Sequence, residues 1–141
     1  MSVTKVDKPW GHELHWAKTE RYVGKVLHVK AGHALSLQYH NIKDETIFLW
    51  KGKMLFEIGT ADALEKREML PGESIHITPH TVHRMTAIED CDIFEVSTPE
   101  LDDVVRLAGD DEPGKACHGQ SGSEGSLAIL SQRNDSGALC P

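Results

Sequence analysis

Apolar and polar residues alternate along residues 22–30, 35–40, 45–50, 54–58, 74–78, 82–88 and 92–97. A period of two puts successive side chains on opposite faces of a β-strand. Between these runs stand turn signals at Ala31-Gly32, 41–44, Lys51-Gly52-Lys53, 59–62, Pro71-Gly72 and Glu89-Asp90. Short strands punctuated at that spacing predict an antiparallel sandwich or barrel. Residues 61–68 are ambiguous, because Ala, Leu, Glu and Lys favour helix while 65–69 could lead a strand into the Pro71-Gly72 turn. One short helix is expected at 100–107, with Thr98 as its cap, Pro99 in its first turn and Leu101, Val104 and Val105 on one face.

The alternation fails after Ala108. Residues 109–141 are rich in Gly, Ser, Asp and Gln, and their apolar run at 127–130 is too short to organise a core. The expected division is a β domain over 1–107 and a disordered tail over 108–141. A chain of 141 residues has room for a single core. Its 15 Lys and Arg against 22 Asp and Glu leave a formal charge of −7, which disfavours a nucleic-acid partner. No stretch approaches the ~20 apolar residues that would span a bilayer, and the opening residues carry no apolar secretion signal, so a cytoplasmic protein without a membrane partner is expected. Cys91, Cys117 and Cys140 make neither an even disulfide framework nor a CxxC pair and read as free thiols. Walker, GxGxxG and GxSxG motifs are absent.

Chemistry concentrates at four positions. On the run 35–40, Leu35, Leu37 and Tyr39 point one way and Ser36, Gln38 and His40 the other. Glu45 opens the next strand after a four-residue loop, so a hairpin-like return brings it back near His40, and His83 heads a later strand. Together they offer one neutral oxygen, two imidazole nitrogens and one carboxylate, a suitable ligand set for zinc, iron, manganese or nickel, with zinc favoured. One negative charge among the ligands leaves a divalent site net positive and ready to take substrate oxygens. On the run 92–97, Glu95 faces the same way as Ile93 and Ser97; if that side is the interior, it is a candidate general base. Lys25 and Arg106 are candidates for holding an anionic substrate group. His12, His15, His28, His33, His76 and His118 read as surface or packing residues, and Trp10, Trp16, Phe48, Trp50 and Phe56 as core, rim or dimer contacts.

Gly32, Gln38, His40, Glu45 and Gly52 at their spacing resemble the first cupin motif, with Gln38 where many cupins have a histidine. Gly72, Thr78, Pro79, His80 and His83 resemble the second. The segments Lys8-Pro9-Trp10-Gly11, 35–40, Glu95-Val96 and 102–106 are similar to the cupin domain of type II phosphomannose isomerases, a likeness covering roughly Lys8 to Arg106. It implies a single-domain cupin jelly roll, a homodimer, and aldose–ketose isomerisation of a sugar or sugar phosphate at a metal held by Gln38, His40, Glu45 and His83. The chain departs from the pattern at Thr78 and His80, where Pro and Gly are usual, at Ala87, where Asn is usual, and in lacking the family's acidic-tyrosine-glycine-arginine ending. A non-glycine at position 80 implies a changed turn or an extra polar group at the cavity mouth. The alternatives are an iron oxygenase-type oxidoreductase using His40, Glu45 and His83, and a non-catalytic sugar-binding cupin.

Overall fold

A computed structural model describes residues 2–109. The tail of 110–141, with Cys117, His118 and Cys140, lies outside the described residues. Eleven strands run in chain order: β1 (Thr4–Lys8), β2 (Gly11–Lys18), β3 (Val23–Val29), β4 (Leu37–Tyr39), β5 (Glu45–Lys51), β6 (Met54–Thr60), β7 (Ala63–Met69), β8 (Ser74–Ile77), β9 (Val82–Ala87), β10 (Cys91–Ser97) and β11 (Val105–Ala108). They form two sheets, one in the order β1-β2-β3-β10-β5-β8 and the other β11-β4-β9-β6-β7. The result is the antiparallel sandwich that the alternation and the turns predict, in the jelly-roll form that the resemblance implies. Among the described residues no helix is long and apolar enough to cross a membrane.

Seven strands coincide with the alternating runs, and the ambiguous 61–68 stretch resolves as strand β7, paired along its length with β6. Gly52 shows why its turn needs glycine. Its φ is 95°, and a Cβ there would lie 2.2 Å from the Asp90 carbonyl oxygen.

The expected helix at 100–107 does not form. Turn bonds run from Leu101 N to Pro99 O and from Asp103 N to Glu100 O, and the chain then enters β11, where Val105 and Arg106 pair with Tyr39 and Gln38 of β4. Two causes compete with helix: Val104 and Val105 are β-branched, and the Asp103 carboxylate is spent on the backbone of 41–43. Strands β1 and β2 are additions to the expectation. Their signal is weak because the inward residue of β2 beside Leu14 is the charged Glu13, which breaks the apolar alternation.

The interior is apolar at one end and polar at the other. On β10 the inward residues run Cys91, Ile93, Glu95, Ser97, and on the neighbours their partners are Val29, Leu27, Lys25 and Val23 of β3 and, for Ile93 and Ser97, Leu49 and Glu45 of β5. The apolar end is filled by Trp10, Leu27, Leu49, Met54, Phe56, Met69, Ile75 and Ile93. Burial of these side chains supplies the main driving force for closing the two sheets on each other. On the outer face of the larger sheet, the rings of Phe48, Trp50 and Phe94 lie 6.0–6.5 Å apart. Trp50, Phe94 and Val96 are exposed there.

Candidate metal centre

The polar end of the interior gathers His40, which directly follows β4, Glu45, which opens β5, and His83 on β9. One ligand atom from each lies within 4.8 Å of the others, and all three residues are buried. His40 Nε2 is 3.3 Å from Glu45 Oε2, and His83 Nε2 is 3.6 Å from Glu45 Oε1. The outer nitrogens are already occupied: His40 Nδ1–H donates to the Asp103 carbonyl at 2.6 Å and His83 Nδ1–H to the Thr81 carbonyl at 2.9 Å. A neutral imidazole so bound turns its Nε2 lone pair inward. Both Nε2 atoms are buried with no hydrogen-bond partner. Two bare lone pairs aimed at a buried carboxylate are a costly arrangement without a cation, and the donor types suit a borderline divalent ion.

Gln38 lies directly opposite His83 in the β4–β9 pairing, so the two side chains share the inner face, and Gln38 is buried. Its carbonyl oxygen accepts the Ser36 hydroxyl at 2.8 Å, leaving a second lone pair. Gln38 thus faces the interior from the same sheet as His40 and His83, and Glu45 faces it from the other sheet.

Lys43, in the turn at 41–44, belongs to the same site. Its side chain is buried, with Nζ 2.6 Å from Glu45 Oε2 and 3.1 Å from Glu95 Oε2. Glu95 faces inward, as the β10 alternation allows, and its Oε2 lies 3.8 Å from Lys25 Nζ, which in turn is 3.3 Å from Glu13 Oε1. Three carboxylates and two ammonium groups thus alternate from Glu45 to Glu13. Burial works to raise the Glu45 carboxyl; with a proton at Nε2 in place of a metal, the His40 and His83 rings, together with the Lys43 ammonium, hold it well below the usual carboxylate range. Burial pulls the Lys43 ammonium down; Glu95 and Glu45 outweigh it, and the net shift is upward. For Glu13 burial again acts upward, and Lys25, His15 and Lys8 reverse it to a net lowering.

Asp103 organises the loop that carries Lys43. Its carboxylate accepts the backbone N–H groups of Asn41, Ile42 and Lys43 at 3.1, 2.6 and 2.8 Å, and the N–H groups of Lys43 and Ile42 hold its carboxyl down to about 2. In Asp103→Ala, amide-proton exchange at Ile42 and Lys43 is expected to accelerate relative to β5; unchanged rates would contradict this clamp.

Arg106 is exposed on edge strand β11 opposite Gln38, rather than on a helix. His80 takes the left-handed conformation, φ 68°, so the turn geometry usual for glycine is kept by a histidine at the mouth. Its N–H donates to the His40 carbonyl at 2.6 Å. Among the other histidines, His15, His28 and His76 pair with Glu13, Asp92 and Asp44. Cys91 is a buried free thiol.

Residues 1–109 match the family model described as mannose-6-phosphate isomerase C-terminal. No curated protein matches the sequence. Among solved structures, KdgF from Halomonas sp. is 21% identical with a TM-score of 0.60, covering 73% of this chain and 92% of that one. The capsular polysaccharide assembling protein CapF from Staphylococcus aureus is 19% identical with a TM-score of 0.62, over 77% of this chain and 35% of CapF. A variant oxalate decarboxylase from B. subtilis is 11% identical with a TM-score of 0.69, over 92% of this chain and 35% of that one. This chain thus corresponds to about a third of the length of either larger protein, and the likeness to all three is one of fold.

Proposed function

Because the chain belongs to the mannose-6-phosphate isomerase C-terminal family, a cupin family, we propose that it is a metal-dependent isomerase that interconverts the aldose and ketose forms of a sugar or sugar phosphate. The observation that carries this reading is the pair of unpartnered Nε2 atoms of His40 and His83 aimed at Glu45, with the Glu95 carboxylate in the same interior. Gln38, His40, Glu45 and His83 would hold the ion, zinc being favoured by two imidazoles and one carboxylate. When bound, a divalent ion supplies Lewis-acid polarisation of substrate oxygens.

The rest falls to the chain's own groups. Aldose-to-ketose conversion moves one hydrogen from C2 to C1 and one from the C2 hydroxyl to the C1 oxygen. Glu95 takes the C2 proton and returns it to C1. Lys43 and Lys25 keep that carboxylate oriented on β10, at 3.1 and 3.8 Å. At the mouth, Arg106 meets the anionic group of a phosphorylated substrate. Lys25 lies deeper, and its two carboxylate partners leave it to balance interior charge beside that group.

Two tests follow from this reading. Metal-loaded protein turning over hexose or pentose phosphates in D2O is expected to place solvent deuterium at C1 or C2. Glu95→Gln is expected to lower kcat by about 10²–10⁴-fold with metal content unchanged at saturating metal. Absence of interconversion across these substrates overturns the assignment. His40, Glu45 and His83 alone are also the two-histidine, one-carboxylate set of iron oxygenases, and substrate-dependent oxygen consumption would mark that chemistry instead. Thermal shifts with sugars but no turnover would mark a binding protein.

A homodimer is part of the proposal. The exposed face bearing Phe48, Trp50, Phe94 and Val96 suits a second copy packed sheet to sheet. Sedimentation is expected to give a dimer for the native protein and a monomer for Trp50→Glu; a monomeric native protein would remove the dimer from the proposal.

A further inference from the structure

We propose that Lys43 is a built-in counter-cation of the metal centre: it holds Glu45 and Glu95 together when no metal is bound, and loosens the grip on a metal when one is. The inference rests on the reading that Gln38, His40, Glu45 and His83 bind a divalent ion.

The geometry makes Lys43 hard to displace. Its side chain is 5% exposed, and the two carboxylates it touches are 1% and 6% exposed. Asp103 fixes the Lys43 backbone N–H at 2.8 Å. On the other side of the loop, Asp44 N donates to Thr98 Oγ1 and Thr98 N to the Asp44 carbonyl, both at 3.0 Å. The ammonium therefore cannot swing into solvent without giving up its ion pairs with two buried carboxylates, a larger loss than an exposed pair would suffer. Glu95 is itself backed by Lys25, and Lys25 by Glu13.

The ammonium and a metal would share one carboxylate. Glu45 Oε2 lies 2.6 Å from Lys43 Nζ and 3.3 Å from His40 Nε2. A divalent ion held by His40 and Glu45 would lie in the repulsive field of an ammonium ion-paired with the same carboxylate, inside an interior where such repulsion is poorly screened. Two consequences follow. The fold does not depend on metal, unlike small domains whose buried ligands have no other counter-charge. The bound ion is exchangeable, held more weakly than the same ligands would hold it beside a neutral residue.

Lys43→Met tests both consequences, since it keeps most of the length of the side chain and deletes the charge. Zn²⁺ and Mn²⁺ affinities are measured by competition with a chelating dye, and melting temperatures with EDTA or with metal. Lys43→Met is expected to melt lower than the native protein in EDTA, to gain a larger shift from metal, and to bind metal about tenfold tighter or more. Lys43→Arg, which retains the charge, is expected to bind metal about as weakly as the native protein. Should Lys43→Met not fold even with metal, Lys43→Gln keeps an N–H donor without the charge and carries the same comparison. Native protein that binds metal, with neutral variants binding no tighter, overturns this inference alone. Native protein that binds no metal overturns it together with the reading beneath it.

Discussion

His83→Ala is expected to lower divalent-metal affinity by more than about 100-fold and to remove turnover. Substitutions behind a metal ligand typically cost about 10–100-fold, and loss of the ligand itself exceeds that. The geometry leaves no substitute. His83 Nε2 faces Glu45 Oε1 at 3.6 Å, its Nδ1 is fixed by the Thr81 carbonyl, and its residue is 1% exposed. Nor can water restore the site cheaply, because the neighbouring Phe56 ring lies 6.4 Å from the imidazole and closes its apolar side. Isothermal titration with Zn²⁺ and metal analysis of the purified variant measure the effect. A His83→Ala protein with native affinity and activity would remove His83 from the centre.

Phe56→Ala is expected to be the most destabilising single truncation near the site, by about 3–5 kcal/mol. Phe56 on β6 is wholly buried and faces both the apolar end and the His83 ring, its register partner being Met85 on β9. A domain of this size has only about 5–15 kcal/mol of net stability, so urea unfolding followed by circular dichroism reads the loss directly. The cavity also opens the space behind His83, so metal affinity is expected to fall alongside stability. A loss below about 1 kcal/mol would mean the neighbouring strands collapse into the space, and that the ring does not support the histidine.

Most strands were legible because a sandwich core needs only one apolar face per strand, and that demand writes a period of two into the sequence. The spacing singled out Gln38, His40, Glu45 and His83, of which the fold gathers the last three into one buried cluster, since a short loop returns Glu45 to the neighbourhood of His40 and β4 lies beside β9. Glu95 was half legible. Its alternation gave a side, while the partners that make that side the interior, Lys43 and Lys25, come from segments distant in sequence. The helix expected at 100–107 failed for a related reason: local propensity could not register that Asp103 would be claimed by backbone groups 60 or more residues earlier.

By itself, then, the amino-acid order determined the β character of the chain, its turns, and the His40, Glu45 and His83 side chains that meet at the polar end of the sandwich. Tertiary structure alone decided that Lys43 and Glu13 lie inside, that 105–108 is an edge strand, and that His80 keeps a glycine-like turn. The division has one physical origin. Hydrophobic alternation reports where apolar side chains go, and an isolated charge reads as solvent-facing because burial without a partner is costly. A charge turns inward only when opposite charges arrive to meet it, and the row from Glu45 through Lys43, Glu95 and Lys25 to Glu13 is assembled from strands that become neighbours only on folding.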